Sequence, residues 1–271
     1  MTISTSKQLL PVFDKPLIYY PLGTLLSMGV REILIICRGE DKQNFELLLG
    51  DGSFLGVAIS YEIQSSPRGL ADAFLIGETF LGDSNSALIL GDNIFYGIED
   101  VLQGIAATYS RGAYILGAKV SDPERYGVIT VDARNQPSQI VEKPTTRVSD
   151  IAIPGLYFVD ETVVDRAKSV QPSHRGELEI VDVLRSYLIE GALNLEILSN
   201  NITWMDCGTP TSLNDASNFV RSLETRQKNK VSCIEEIAFN MGFISAELLA
   251  QRIDFLGKGD YANYLRVLLE G

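Results

Sequence analysis

The sequence has few of the residues that build metal cages or covalent staples. Its 271 residues include one histidine, His174, and three cysteines, Cys37, Cys207 and Cys233, which lie far apart. Multi-histidine metal sites, zinc ribbons and a disulfide frame are thereby excluded, and the pattern predicts reduced thiols in a cytoplasmic protein. A Ser-His-Asp triad would hang on His174 alone, which reads as a loop residue rather than a general base. Any metal is therefore expected to take oxygen ligands, which favours magnesium. Positive charge is also scarce, with 23 Lys and Arg against 35 Asp and Glu, a net charge of −12. That balance argues against a nucleic-acid polymer as partner and leaves room for a local basic pocket holding one small phosphorylated ligand. Long apolar runs are missing too, so no membrane span is expected. Thr2, Ser4, Thr5, Ser6 and Gln8 interrupt any leader-like apolar region at the start, and Pro11 and Asp14 break up the next stretch. Repeats, low-complexity tracts and flexible linkers are absent as well.

What is present is a rhythm. With 45% hydrophobic and 21% charged residues, the chain can bury a large core as one α/β domain with an appendage, or as two domains. "REILIIC" (31–37), "GVAISYEI" (56–63) and "SALIL" (86–90) read as strands, and "DKQNFELLL" (41–49) and "LADAFLIGETFL" (70–81) read as helices between them. "IEDVLQGIAATYS" continues as a helix and "AYILGAKV" as a strand. This alternation predicts an α/β fold with a mixed, mostly parallel central sheet. From Tyr126 the spacing shortens into "YGVITVD", a turn around 135–137, "SQIVEK" and "IAIPGLYFVD", which suit antiparallel additions that shape a pocket. Helices are predicted over 161–169 and 179–190, then a strand in "LNLEIL", then helices from Pro210 almost to the end, with breaks at Gly242 and 257–259. The predicted division is 1–230 for the main domain and 231–271 for a C-terminal helical extension.

In open α/β sheets, ligands sit beyond the carboxyl ends of the strands. "LILGDN" places Asp92 at such an end, and "TWMDCGT" places Asp206 just after another strand. Two carboxylates on one edge suit a magnesium ion that also touches a substrate phosphate. The same spacing also suits loop aspartates or helix caps. Lys7 in "STSKQLLP", Lys143 in "VEKP" and Arg175 in "SHRGELEI" stand where a fixed cation meets phosphate, although each alone also fits a solvated surface charge.

The strings "SKQLLPVFDKPLIYYPL", "LLGDGS", "LILGDNIFYG", "DPERYGV", "EKP", "GLYFVD", "RGELEI", "WMDCGT" and "VSCIEEIAF", in this order, resemble glucose-1-phosphate thymidylyltransferases along essentially the whole chain. The resemblance implies a Rossmann-like nucleotidyltransferase fold that converts dTTP and glucose 1-phosphate into dTDP-glucose and pyrophosphate, feeding dTDP-rhamnose-type biosynthesis. It implies magnesium on Asp92 and Asp206, the sugar phosphate on Lys143 and Arg175, and Lys7 facing the nucleotide phosphates. Gln64 and Gly69 would read the thymine edge, and Gly127, Glu142 and Gly155 would line the glucose pocket, although each glycine also suits a plain turn. A homotetramer built through the C-terminal helices is implied as well. Two positions depart from the family pattern: Cys207 and Pro154 stand where threonine is usual. The family also places a strand and a G-G-x-G-T-R-L loop before the equivalent of "STSKQLLP". Neither is in this sequence, so Met1 reads as an internal methionine and the chain as written is expected to be weak or inactive. The competing expectations are a non-catalytic sugar-nucleotide-binding paralogue and an enzyme using UTP or CTP.

Overall fold

Buried apolar runs form strands, and amphipathic stretches form the helices between them. The computed structural model describes residues 5–270, so Met1, read as an internal methionine, lies outside the described residues. A 3-10 turn at Lys7–Leu9 leads into a small hairpin, β1 (Pro11–Val12) and β2 (Lys15–Pro16), and then into α1 (Tyr19–Ser27). β3 (Glu32–Cys37), α2 (Lys42–Leu49), β4 (Ala58–Ile63), α3 (Asp72–Ile76), α4 (Glu78–Leu81) and β5 (Ser86–Ile89) continue the alternation. The helix expected over 70–81 is split at Gly77, where a Cβ would lie 3.1 Å from Ala73 O and 3.3 Å from Leu34 Cδ2. The helix pair is pressed against β3 at that point.

Next come β6 (Asn93–Tyr96), α5 (Glu99–Thr108), β7 (Ala113–Lys119), β8 (Gly127–Val131), β9 (Pro137–Glu142), β10 (Ile151–Ala152) and β11 (Leu156–Val159). They are followed by α6 (Val163–Ser169), α7 (Ile180–Ile189), β12 (Leu193–Ile197) and β13 (Thr203–Asp206). The chain closes with α8 (Pro210–Gln227), α9 (Ile234–Asn240), α10 (Ala246–Leu256) and α11 (Asp260–Glu270). α8 starts at a capping box, with Thr209 and Ser212 exchanging side-chain bonds and Pro210 in the first turn.

The seven-stranded sheet runs β5-β11-β7-β10-β8-β9, with β12 also on β7. Its α/β, Rossmann-like class is as expected, and its pairing is mixed. β5, β7, β8 and β12 run the same way, but β10 and β11 are inserted between them in reverse. As a result β12/β7 is the parallel ladder of this sheet, and β3/β4 form a separate parallel pair. β6 and β13 form a third, antiparallel pair. Two observations position the functional region. First, β3 and β5 are not hydrogen-bonded to one another. Second, the C-terminal helices share a core with the front of the chain: Ile234, Ala238, Leu249, Ile253 and Leu265 pack with Leu22, Leu26, Ile33 and Leu55.

The β1/β2 hairpin is fastened to α8 by buried charges. Lys15, whose side chain is 1% exposed, bonds Asp14 at 2.6 Å and Glu224 at 2.7 Å, while Lys230 bridges Asp14 and Glu224 from the other side. Burial alone would raise the Asp14 carboxyl, but Lys15 and Lys230 outweigh it and hold it below the usual range. Removing one partner of a buried ion pair typically costs about 3–5 kcal/mol. Lys15→Met is therefore expected to lower the unfolding free energy by about that amount in urea titrations. Because the folded Asp14 pKa is depressed, its contribution is present above the ordinary Asp pKa and is lost as pH falls through the lowered value. In Lys15→Met that acid-side loss should shrink.

Candidate active site

Two strand ends and one register bring the acidic residues together. β5 delivers Asp92 just beyond its carboxyl end, and β13 pairs with β6 so that Asp206 lies opposite Asn93. The Cys207 N–H then donates to Asp92 O at 2.9 Å. Burial pushes the Asp206 carboxyl up, and the neighbouring Asp92 charge pushes it further, against the pull of Arg125 and Lys7. Each carboxylate has its own cation: Lys7 Nζ pairs with Asp92 Oδ2, and Arg125 Nη2 lies 3.1 Å from Asp206 Oδ2. Arg125 does not stand out in the sequence, although it sits inside "DPERYGV". Its 3-10 turn at Pro123–Arg125, just before β8, and an anchor to Asp122 Oδ2 at 2.9 Å aim it at the site.

Asn93 is a second residue that the sequence does not single out. It is 2% exposed and does three jobs with one amide. Its Nδ2 donates to Asp92 Oδ1 at 3.0 Å, while its Oδ1 accepts from Gly155 N–H at 3.0 Å and from Trp204 Nε1 at 2.6 Å. The only signal for it in the sequence is its place in "LILGDN".

A cavity of about 270 Å³ opens on one side of the carboxylates, lined by Gly127, Glu142, Lys143, Gly155, Arg175 and Asp206. Gly127 faces Glu142 in the β8/β9 register, and a Cβ there would stand 3.1 Å from Glu142 Oε2 and 3.0 Å from Val181 Cγ1. Gly155 is as constrained, since its Cβ would come within 2.5 Å of the Leu90 side chain. Burial raises the Glu142 carboxyl, and Glu179 raises it further, against Lys143 and Arg175. Lys143 Nζ is 3.8 Å from Glu142 Oε1. Arg175 Nη2 contacts both oxygens of Glu179 at 2.9 Å, Glu177 at 3.2 Å and Glu142 at 3.4 Å. The Tyr126 and Trp204 rings meet nearly edge-on at 5.1 Å beside them.

A larger cavity of about 740 Å³ lies on the other side and includes Lys7, Gln64, Gly69 and Gly91. Gln64 Nε2 donates to Asp72 Oδ2 at 3.0 Å. Asp72 is 2% exposed and also receives Arg68 Nε at 3.1 Å. With its amide nitrogen committed in this way, Gln64 Oε1 meets no donor among the described residues and is available to a ligand N–H. Gly69 has φ +102°, and a Cβ there would lie 2.4 Å from Leu178 O. Glycine is required by both the conformation and the contact. The loop is laced to the "RGELEI" segment by Ala71 N–H to Leu178 O at 3.0 Å and Leu178 N–H to Arg68 O at 2.6 Å.

All ten residues singled out in the sequence therefore gather at one place. Lys7, Gln64 and Gly69 line the larger cavity, and Lys143, Arg175, Gly127, Glu142, Gly155 and Asp206 line the smaller. Asp92 stands between them, paired with Lys7. Leu70, Leu90 and Glu177 border both cavities. His174 lies exposed outside them.

Comparison with known proteins identifies the family. A nucleotidyl transferase family model matches residues 1–222. The glucose-1-phosphate thymidylyltransferases of Neisseria meningitidis and Mycolicibacterium smegmatis are 46% and 48% identical over 272 and 275 residues, each match spanning all of this chain and 94% of the relative. The solved structure of a Bacillus anthracis chain described as a glucose-1-phosphate thymidylyltransferase, in complex with sucrose, is 36% identical. It superposes with a TM-score of 0.75 over 81% of this chain and 88% of that one. A UDP-glucose pyrophosphorylase solved with UDP-glucose, at 24% identity and a TM-score of 0.71 over 80% of this chain and 90% of that one, shares the fold. The chain belongs to the glucose-1-phosphate thymidylyltransferase family of nucleotidyl transferases.

Proposed function

We propose that the chain transfers a thymidylyl group from dTTP to glucose 1-phosphate, giving dTDP-glucose and pyrophosphate. The observation that carries this reading is the carboxylate pair Asp92 and Asp206 at the junction of two cavities, one with a free amide acceptor on Gln64 and the other with paired cations and a carboxylate. In this reading the sugar phosphate oxygen attacks the α-phosphorus in line. A new O–P bond forms, and the bond to the bridging β-phosphate oxygen breaks. No side chain is needed as a nucleophile, so the protein supplies position and charge.

Gln64 Oε1 accepts the pyrimidine N3–H, and Gly69 lets the base approach the loop backbone. Because thymine and uracil present the same edge, dTTP over UTP rests on room for the methyl group. Glu142 accepts sugar hydroxyls beside Gly127 and Gly155, Lys143 and Arg175 take the sugar phosphate, and Lys7 faces the nucleotide phosphates. The donor set at Asp92 and Asp206 suits magnesium: two carboxylates, with the Cys207 side chain turned into a core of Val12, Leu17 and Tyr20. No cluster of three or more His, Cys, Asp or Glu ligands occurs among the described residues; magnesium is commonly held by one or two carboxylates together with waters and substrate phosphates. Bound there, it would neutralise charge developing on the α-phosphate.

The reading extends to a cytoplasmic enzyme that feeds dTDP-rhamnose-type synthesis. It also extends to a homotetramer formed through the C-terminal helices, where Phe255 on α10 and Val267 on α11 are 79% and 70% exposed. No helix among the described residues is long and apolar enough to cross a membrane.

The direct test is magnesium-dependent pyrophosphate release from dTTP and glucose 1-phosphate. Turnover is expected, faster with dTTP than with UTP. Faster turnover with UTP would reassign the nucleotide. Asp92→Asn and Asp206→Asn should each lower turnover by about 10²- to 10³-fold, since a neutral amide keeps the shape and loses the charge. Near-normal rates at limiting magnesium would remove that residue from the metal site.

Binding provides a separate check on the smaller cavity. Charge-assisted phosphate contacts contribute about 1.5–3 kcal/mol, so Lys143→Ala and Arg175→Ala should each weaken glucose 1-phosphate by about 10- to 100-fold in calorimetry. Unchanged affinity in both would refute the pocket assignment.

A further inference from the structure

Gln64 enters the larger cavity just past the end of β4, where its backbone N–H extends the ladder to Cys37 O at 2.9 Å. Its side chain ends in an amide whose two halves are alike in shape and opposite in hydrogen bonding. The half that faces the cavity decides whether a ligand meets an acceptor or a donor there. A base that carries a proton on N3 needs the oxygen forward, so the group behind the amide matters as much as the amide.

Behind it stands Asp72, the first residue of α3, which is 2% exposed and does not line the cavity. Burial alone would raise its carboxyl, but the bonds from Arg68 and Gln64 outweigh burial and hold it below the usual range. An ionised carboxylate only accepts. Its two oxygens are divided between two partners: Oδ1 takes Arg68, through Nη2 and through Nε at 3.1 Å, and Oδ2 takes Gln64 Nε2 at 3.0 Å. A further acceptor, Gly69 O, lies 3.5 Å from the same amide nitrogen. Turned the other way, Gln64 would set its oxygen against a carboxylate and a carbonyl and satisfy neither, an arrangement that costs the desolvation of both. The device is local in sequence, since Gln64, Arg68 and Asp72 recur at every fourth position of "QSSPRGLAD".

We propose that Asp72 is a positioning residue that sets which class of pyrimidine the cavity accepts. The proposal rests on Gln64 facing the base, as in the reaction above. With its nitrogen held by Asp72, Gln64 presents Oε1 to the N3–H of thymine or uracil and opposes the bare N3 of cytosine, which is itself an acceptor. Arg68 gives the arrangement its direction. Because Arg68 can only donate, in Asp72→Asn the new amide keeps its oxygen on Arg68 and turns its nitrogen to Gln64. Gln64 must then offer its oxygen backward and its nitrogen to the cavity, where it suits cytosine.

The test is calorimetric binding of dTTP and dCTP to the full chain and three variants. The parent is expected to favour dTTP. Asp72→Asn should weaken dTTP and strengthen dCTP, so that the ratio of affinities falls by about tenfold or more. Arg68→Met leaves the carboxylate in place and should keep the parent's preference. In the double variant, Arg68→Met with Asp72→Asn, nothing pins the new amide, so it can turn its oxygen to Gln64 and recover most of the lost ratio. A merely structural role for Asp72 predicts something else: both nucleotides weakened together, and no recovery on removing Arg68. An unchanged ratio in Asp72→Asn, or a double variant no better than the single one, would overturn the proposal. A parent that binds neither nucleotide, or both equally, would remove the base assignment of the catalytic reading and this inference with it. A parent that favours dTTP beside an Asp72→Asn that favours it equally would remove this inference alone.

Discussion

The functional region depends on the buried amide of Asn93. Its position opposite Asp206 is fixed by the antiparallel register of β6 and β13, and its two polar atoms reach three residues at once. It steadies Asp92 through Nδ2, and through Oδ1 it holds the Gly155 backbone and the Trp204 indole, one wall of each kind for the smaller cavity. A 2% exposed amide is costly to bury unless it is fully bonded. Any slip of the β6/β13 pairing by one residue would turn Asp206 to the opposite face and strand Asn93 as well. The acidic pair therefore inherits its geometry from the sheet, and the cavities on either side inherit theirs from the acidic pair.

Much of this arrangement is legible in the sequence because local pattern is enough for it. The apolar runs at 31–37, 56–63 and 86–90 became β3, β4 and β5, and along α7 the apolar face of Ile180, Val183, Leu184, Tyr187 and Leu188 is buried except for the half-buried Leu188. Pairing is less legible, since it is a long-range property. "NIFY" is too short to announce itself as a strand, and it becomes β6 only because β13 returns to it. The reversed insertion of β10 and β11 is hidden in the same way, and Gly77 breaks a helix for a contact with β3 that the helical pattern does not encode. At the site, charge marked the cations in general. Arg125 differs from its neighbours only through the turn that aims it at Asp206, 81 residues away.

The two departures from the family pattern have a physical explanation in the fold. Cys207 is 2% exposed, and its side chain packs among Val12, Leu17, Tyr20 and Ala216, where burial and the nearby Asp92 push the thiol up to about 12. It stays neutral there and offers the site only its backbone N–H, which a threonine would offer equally. Pro154 is buried between β10 and β11, where its carbonyl accepts from Leu156 N–H at 2.8 Å. Its fixed φ and missing donor suit the break that turns Gly155 toward Asn93. Both changes thus fall on the structural side of the backbone, and the polar groups facing the cavities are left as they are.

Electrostatics sets the remaining condition. A chain with a net charge of −12 has to bind anionic ligands through local pairs. Those pairs are already satisfied internally: Lys7 by Asp92, Arg125 by Asp206, Lys143 by Glu142, and Arg175 by Glu179 with Glu142 and Glu177 near. A phosphate arriving alone would meet cations whose charge is committed, and carboxylates that repel it. In the proposed reaction, a divalent cation brought to Asp92 and Asp206 together with the nucleotide would satisfy the acids and release Lys7 and Arg125 toward phosphate oxygens. Burial, and after it the Asp92 charge, raise the Asp206 carboxyl, and Arg125 and Lys7 only partly offset them. In that reaction the same side chains that balance the site without substrate would become its phosphate contacts once the acids are otherwise neutralised.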